Sequence, residues 1–256
     1  MAIAPSTSLL RNMPSSLPKI GAALADTLRA QPAPPSGPAE VQAPVLIVPR
    51  VFEPELCRAL IAGHEAGPVG DSGYMKTIGG QIHGVVDYKT KRRSDWLVAD
   101  PELRTACMER LVSRLLPQVG LAFRFRATRI ERYVVACYDA EPGGYFRPHR
   151  DNNGDGHREF AVTLNLNAEE YEGGDLRFPE FGRQDYRPPT GGACVFACSL
   201  MHEATPVTRG RRYAFLPFLY DEAGARRREK NSRNYADPTK HYTMRALDEG
   251  AEAEDG

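Results

Sequence analysis

Two kinds of hydrophobic spacing divide the chain beyond residue 45, and their order along it is the first clue to its architecture. In EPELCRALIAGHEA, residues 53–66, Leu56, Leu60 and Ile61 share one stripe of a helix. In PELRTACMERLVSRLL, residues 101–116, Leu103, Met108, Leu111, Val112 and Leu115 form a second stripe. Pro54 stands in the first turn of one helix, and Asp100 precedes Pro101 as the N-cap of the other. Each helix therefore has a single face to bury, and a sheet is the flat partner that such a face requires.

Past residue 120 the texture changes to short β-branched and aromatic runs separated by Gly, Pro and Asp: RIERYVVACY, GYFRPHRD, FAVTLNLN, GDLRFPEF, GGACVFAC and RRYAFLPFLY. In FAVTLNLN, Val162, Leu164 and Leu166 occupy one face of a strand, and Thr163, Asn165 and Asn167 the other. The first face suits helices; the second needs polar neighbours. Strands following helices in this way predict a mainly β fold with flanking α, a jelly roll buttressed on one side by the N-terminal helices.

Three segments follow from the same pattern. Residues 1–44 are read as an N-terminal extension: a short amphipathic helix at IGAALADTLRAQ, then a Pro-rich linker, QPAPPSGPAEVQAP. Residues 45–222 form the folded domain, with the jelly-roll core over about 121–220, and residues 223–256 a charged tail or surface helix. The polar, Gly-rich stretch 71–96 reads as a loop or strand pair overhanging a site, or as a solvated connection.

Composition changes little. Lys and Arg together number 33, matching 33 Asp and Glu, so the overall charge gives no reason to expect nucleic acid or an anionic membrane as partner. No apolar run approaches the roughly 20 residues of a membrane-spanning helix. The five cysteines, Cys57, Cys107, Cys137, Cys194 and Cys198, lack paired spacing and read as small core residues of a protein in a reducing, cytoplasmic setting. Oligomeric state is not legible in the sequence.

The chemistry concentrates at His149-Arg150-Asp151. Side chains at i and i+2 of a strand point the same way, about 6.5 Å apart at the Cα atoms, so both can reach one ion. His202 follows 51 residues after Asp151. Two imidazoles and one carboxylate on one face, with the opposite face open, are the ligand set of non-haem Fe(II) oxygenases. Taken alone, HxD reads equally as a strand-capping histidine beside an Asx turn at DNNGDG.

The surrounding segments decide between these. YFRPHRDNNGDG, FAVTLNLN, YEGGDLRFPEFG, PPTGGACVFACSLMHEATPV and TRGRRYAFLPF resemble the 2-oxoglutarate-dependent prolyl hydroxylases, and ACYDAEPGGYFRPHRDNNGDG resembles the metal-binding strand of the hypoxia-sensing members. The resemblance implies a double-stranded β-helix with His149, Asp151 and His202 on iron. It also implies a basic residue ten positions after the second histidine, which is Arg212. A guanidinium suits the far carboxylate of 2-oxoglutarate because it is planar, bidentate and permanently charged. Arg211 competes for that role, and strand alternation admits only one of the two to the interior. Asn165 matches a position where the hypoxia-sensing enzymes carry a tyrosine on the same carboxylate. Tyr138 matches a co-substrate-pocket tyrosine, and Tyr145 precedes the metal motif at family-like spacing; both also fit as ordinary buried aromatics.

Further implications concern the reaction. Fe(II), 2-oxoglutarate and O2 are the implied cofactors and co-substrates, with ascorbate a candidate addition, and the products are succinate, CO2 and a hydroxylated C–H position. Asp151 favours hydroxylation, since related halogenases replace this carboxylate with a small residue. A prolyl or other peptide side chain is the leading substrate. A free amino acid or small metabolite is the alternative, and a non-catalytic jelly-roll binding module the reading from another class. Lys91, Arg92 and Arg93 read as substrate contacts or as plain soluble surface. His64, His83, His157 and His241 are left as structural or exposed.

Overall fold

The computed structural model describes residues 41–152 and 156–231. Residues 1–40 of the expected extension over 1–44, the expected tail beyond residue 231, and His241 lie outside the described residues. In chain order the strands are β1 (Leu46–Val48), β2 (Gly70–Asp71), β3 (Tyr74–Ile78), β4 (Gln81–Val85), β5 (Lys91–Arg92), β6 (Ser94–Leu97), β7 (Arg129–Glu131), β8 (Val134–Asp139) and β9 (Tyr145–His149). They continue as β10 (Phe160–Asn165), β11 (Glu172–Gly173), β12 (Leu176–Arg177), β13 (Asp185–Tyr186), β14 (Ala193–Ala197), β15 (His202–Ala204), β16 (Val207–Arg209), β17 (Arg211–Phe215) and β18 (Phe218–Tyr220). The helices are α1 (Pro54–Ala66), α2 (Pro101–Arg110), α3 (Leu116–Phe123) and α4 (Glu222–Asn231), with a π-helical turn at Leu111–Leu115 joining α2 to α3.

Two sheets make up the double-stranded β-helix. The larger runs β1-β14-β10-β17-β8-β6-β2, with β18 and β7 continuing from β10, and the smaller runs β13-β12-β15-β9-β5. Strands from before residue 121 therefore serve both sheets: β1, β2 and β6 in one and β5 in the other. Within 71–96, only β3 and β4 stand apart, as a two-stranded hairpin. Gly79 and Gly80 form its turn, with φ of 60° and 83°, a left-handed pair that matches the twist of the flanking strands.

Alternation along β10 assigns the faces. Val162 and Leu164 join Val195, Phe215, Leu60, Leu111, Leu115 and Val119 in the core between the large sheet and the helices. Ala161 packs the other way, with Phe178 and Phe196, between the sheets. The Asp100 carboxylate caps α2, accepting from the Leu103 N–H at 2.8 Å. The buried stripe of the second helix differs from the expected one: Cys107, Leu111, Leu115 and Val119 are inside, while Met108 and Val112 are exposed. Pro117 lacks the N–H that would close an α-turn onto Ser113, and the widened turn at 111–115 keeps every fourth residue on one line.

All five cysteines are free and buried. Residues flanking the expected domain limits are also packed: the Ala43 N–H donates to the Tyr186 hydroxyl at 2.8 Å, and Gly224 of α4 is buried. His64 and His157 are buried and His83 is half-buried. Among the described residues no helix is long and apolar enough to cross a membrane.

Gly63 of α1 faces the Trp96 indole of β6 so closely that a β-carbon there would overlap the ring. An alanine inside a helix ordinarily adds up to about 1 kcal/mol relative to glycine. Here overlap with a buried ring dominates, at roughly 1–3 kcal/mol. Gly63→Ala is thus expected to lower the melting temperature, and a thermal melt showing it raised would refute this packing.

Candidate metal centre

His149 ends β9 and His202 begins β15, and antiparallel pairing sets them directly opposite each other. Their ring centroids are 4.2 Å apart. Asp151 follows β9 by two residues, and its N–H donates to the Cys198 carbonyl at 3.0 Å, which draws its carboxylate back over the pair. Asp151 Oδ1 then lies 3.5 Å from His149 Nε2, and Oδ2 lies 3.2 Å from His202 Nε2. One ligand atom from each residue falls within 4.8 Å of the others, a spacing that one ion can satisfy.

The second ring nitrogens determine which atoms are available. His149 Nδ1 lies 2.8 Å from the Arg147 carbonyl, and His202 Nδ1 lies 3.0 Å from the Leu200 carbonyl. A carbonyl only accepts, so Nδ1 carries the proton in both rings and each Nε2 presents its lone pair to the centre. Burial pushes the His149 pKa down, favouring the neutral, ligating form. Burial alone would raise the Asp151 pKa, but its two imidazole neighbours outweigh burial and hold the carboxyl well below its usual range. Two neutral imidazoles and one ionised carboxylate are the donor set that a divalent iron takes.

These three residues line a cavity that also holds Tyr138, Thr163 and Arg212. Arg212 pairs in register with Tyr138 across β17 and β8, and its guanidinium lies over the tyrosine ring at 5.0 Å. Only 3% of Arg212 is exposed, and no carboxylate among the described residues reaches it. Its Nε has no hydrogen-bond partner there, and the buried Tyr171 hydroxyl lies beside the guanidinium. Arg211 turns outward instead, where its Nε donates to Asp139 at 2.7 Å. A buried, permanently charged fork with no counter-charge suits the far carboxylate of a dicarboxylic acid.

The remaining sequence candidates lie elsewhere. Asn165 is buried and gives its amide hydrogens to the Pro188 carbonyl at 2.7 Å, while Thr163, two residues earlier on the same face of β10, reaches the cavity. Tyr145 sends its hydroxyl to the Tyr88 carbonyl at 2.7 Å, away from the metal ligands. Lys91 and Arg93, which the sequence offers as substrate contacts or soluble surface, line the cavity, and Arg132, which the sequence does not single out, lines it with them. Arg93-Ser94-Asp95 held the available signal, since charges at i and i+2 of a strand share a face. Nothing local showed that this face is internal.

Comparison with known proteins places this geometry. Residues 133–220 match the 2OG-Fe(II) oxygenase superfamily. A PKHD-type hydroxylase of Synechococcus is 35% identical over 102 residues, covering 37% of this chain and 45% of that protein. The chain thus matches slightly under half the length of that relative. A PKHD-type hydroxylase of Maricaulis maris is 27% identical over 170 residues, covering 64% of this chain and 74% of that one. In fold, the chain is similar to a prolyl hydroxylase of Trichoplax adhaerens solved with a hypoxia inducible factor peptide, at TM-score 0.54 and 18% identity, over 72% of this chain and 86% of that one. Residues 133–220, the stretch that matches the 2OG-Fe(II) oxygenase superfamily, hold the His-Asp-His cluster and Arg212 alike.

Proposed function

We propose that the protein is a 2-oxoglutarate-dependent Fe(II) dioxygenase that hydroxylates an unactivated C–H bond, with a prolyl or other peptide side chain as the leading substrate. The observation that carries this reading is the pairing, in one cavity, of the His149-Asp151-His202 cluster with a buried arginine that lacks a counter-charge. His149, Asp151 and His202 would hold the metal, and Arg212 would anchor the co-substrate. Bound there, Fe(II) supplies the coupling of O2 reduction to oxidative decarboxylation of 2-oxoglutarate, giving succinate and CO2. The protein's own part is placement. The carbonyls of Arg147 and Leu200 hold both histidines in the ligating tautomer, Tyr138 supports the Arg212 guanidinium, and apolar walls from Phe146 and Phe196 limit water.

A peptide substrate draws support from the peptide held by the Trichoplax prolyl hydroxylase, whose fold is similar. Free amino acids and small metabolites remain the alternative, favoured by the charged residues buried in the cavity. We place the catalytic unit at residues 45–222, where every one of these side chains lies. Five buried free thiols support a reducing, cytoplasmic setting.

Two results test the reading. His149→Ala, Asp151→Ala and His202→Ala are each expected to abolish tight Fe(II) binding and succinate release, because two remaining ligands cannot hold the ion. Full turnover by any of them would remove that residue from the centre. Arg212→Ala is expected to raise the 2-oxoglutarate concentration needed for half-maximal rate about a hundredfold, or ~3 kcal/mol, and Arg212→Lys less. Arg211→Ala, on the outer face, should change it little; a reversed ranking of the two arginines in steady-state kinetics would contradict the assignment.

A further inference from the structure

We propose that the substrate carries a carboxylate, bound by a cationic wall of Lys91, Arg93 and Arg132, and that hydroxylation falls on a carbon a few bonds from it. This rests on the dioxygenase reading above and specifies its substrate class.

All three side chains line the same cavity as the metal ligands. Asp95 is the carboxylate that serves the two arginines: it lies 2.6 Å from Arg93 Nε and 3.2 Å from Arg132. Lys91 has none. Its ammonium donates to the Gly73 carbonyl at 2.7 Å, no carboxylate among the described residues lies within ion-pair reach, and two of its three hydrogens are unclaimed. Lys91 is only 3% exposed, so it is no solvated surface lysine. Burying an ammonium without its counter-ion is costly, which favours the neutral amine until a ligand carboxylate completes the pair.

Charge counting leads to the same place. A divalent metal is balanced by Asp151 and the near carboxylate of 2-oxoglutarate, and Arg212 is balanced by the far one. Asp95 is then the one carboxylate in ion-pair contact with the wall among the described residues, since the Glu131 beside Arg132 is already paired with Arg158; the two arginines keep one positive charge in excess, and a second when Lys91 is protonated. Its position suits a substrate. Lys91 Nζ lies 4.7 Å from the centroid of the Phe146 ring, and that ring stacks on His149 at 3.4 Å, so the wall stands one ring away from the metal centre. Arg93 is a positioning residue: it donates to the Tyr138 hydroxyl at 3.1 Å and joins the wall to the tyrosine that supports Arg212.

The reaction balances without further reagents. The substrate C–H bond supplies two electrons and decarboxylation of 2-oxoglutarate two more, together reducing O2. One oxygen atom enters the new hydroxyl, which keeps the substrate hydrogen, and the other enters succinate.

The carboxylate can belong to a free acid or to an acidic side chain beside the reacting residue of a peptide, and the test has an arm for each. Metal-dependent 2-oxoglutarate binding is first measured on the full chain with Mn(II) by calorimetry; its absence would defeat the dioxygenase reading itself. With both bound, L-proline, L-glutamate and L-aspartate are titrated beside prolinamide, glutaminamide and asparaginamide, which carry no carboxylate, and a proline peptide with adjacent aspartate beside its asparagine twin. At least one acid is expected to bind about tenfold or more tightly than its amide, and to take up 18O from O2 with Fe(II). Lys91→Met should bring that ratio towards one, and Lys91→Arg should keep most of it. If no acid outbinds its amide, the proposal is overturned. It also falls if Lys91→Met weakens 2-oxoglutarate binding as much as acid binding, since Lys91 would then serve the co-substrate. Should Lys91→Met fail to fold, the acid and amide pairs on the parent chain and the Lys91→Arg variant still decide.

Discussion

The register between β9 and β15 is the constraint on which the rest of the site depends. Setting His202 opposite His149 creates the narrow space that the Asp151 carboxylate closes. A slip of one residue would turn His149 to the other face of its sheet and leave no ligand pair. Several contacts beyond the histidines hold the register. β5 pairs on the far edge of β9, β12 pairs on the far edge of β15, and the Asp151 N–H is tied to Cys198 between β14 and β15. Both imidazoles are then oriented by carbonyls two residues earlier in their own segments, so ring orientation follows from backbone path.

A second consequence of closure is electrostatic. Sandwiching two sheets brings Arg212 from β17, Arg93 from beside β5 and Tyr138 from β8 into one desolvated volume, with both guanidinium groups over the same tyrosine ring. Ion pairs on the outer surface, such as Arg211 with Asp139, are screened by water and weak. Inside, the same charges cannot be solvated, so an unpaired one is costly until a ligand completes it or it loses its charge. Burial and the neighbouring Arg93 charge push the Lys91 pKa well below that of an ordinary lysine. An arriving carboxylate would oppose that effect.

The helices hold this arrangement rigid without entering it. α1 packs so closely on Trp96 that only glycine fits at position 63, and the stripe Cys107, Leu111, Leu115 and Val119 covers the outer face of β10 and β14. A site carried by strands between a packed core and a second sheet has its ligand atoms fixed by rigid elements. The buried faces therefore serve as the foundation of the chemistry rather than as part of it.

What the sequence determined by itself was whatever depends on short-range periodicity and motif. The strand pair of HxD, the alternation within FAVTLNLN, the Asp100 cap and the family of segments from Tyr138 to Tyr220 are local, because i+2 and i+4 geometry follows directly from backbone dihedrals. Tertiary structure decided what depends on which faces meet. It turned Met108 and Val112 outward by way of a π-turn beside Pro117, sent the Tyr145 hydroxyl to Tyr88, and left the Asn165 amide bonded to Pro188 while Thr163 took the cavity wall. Above all it buried Lys91 and Arg93, which by composition alone also suit a solvated loop. Whether a charged side chain meets water or a cavity is set by the sheet that folds over it from far along the chain, and no local pattern encodes that meeting.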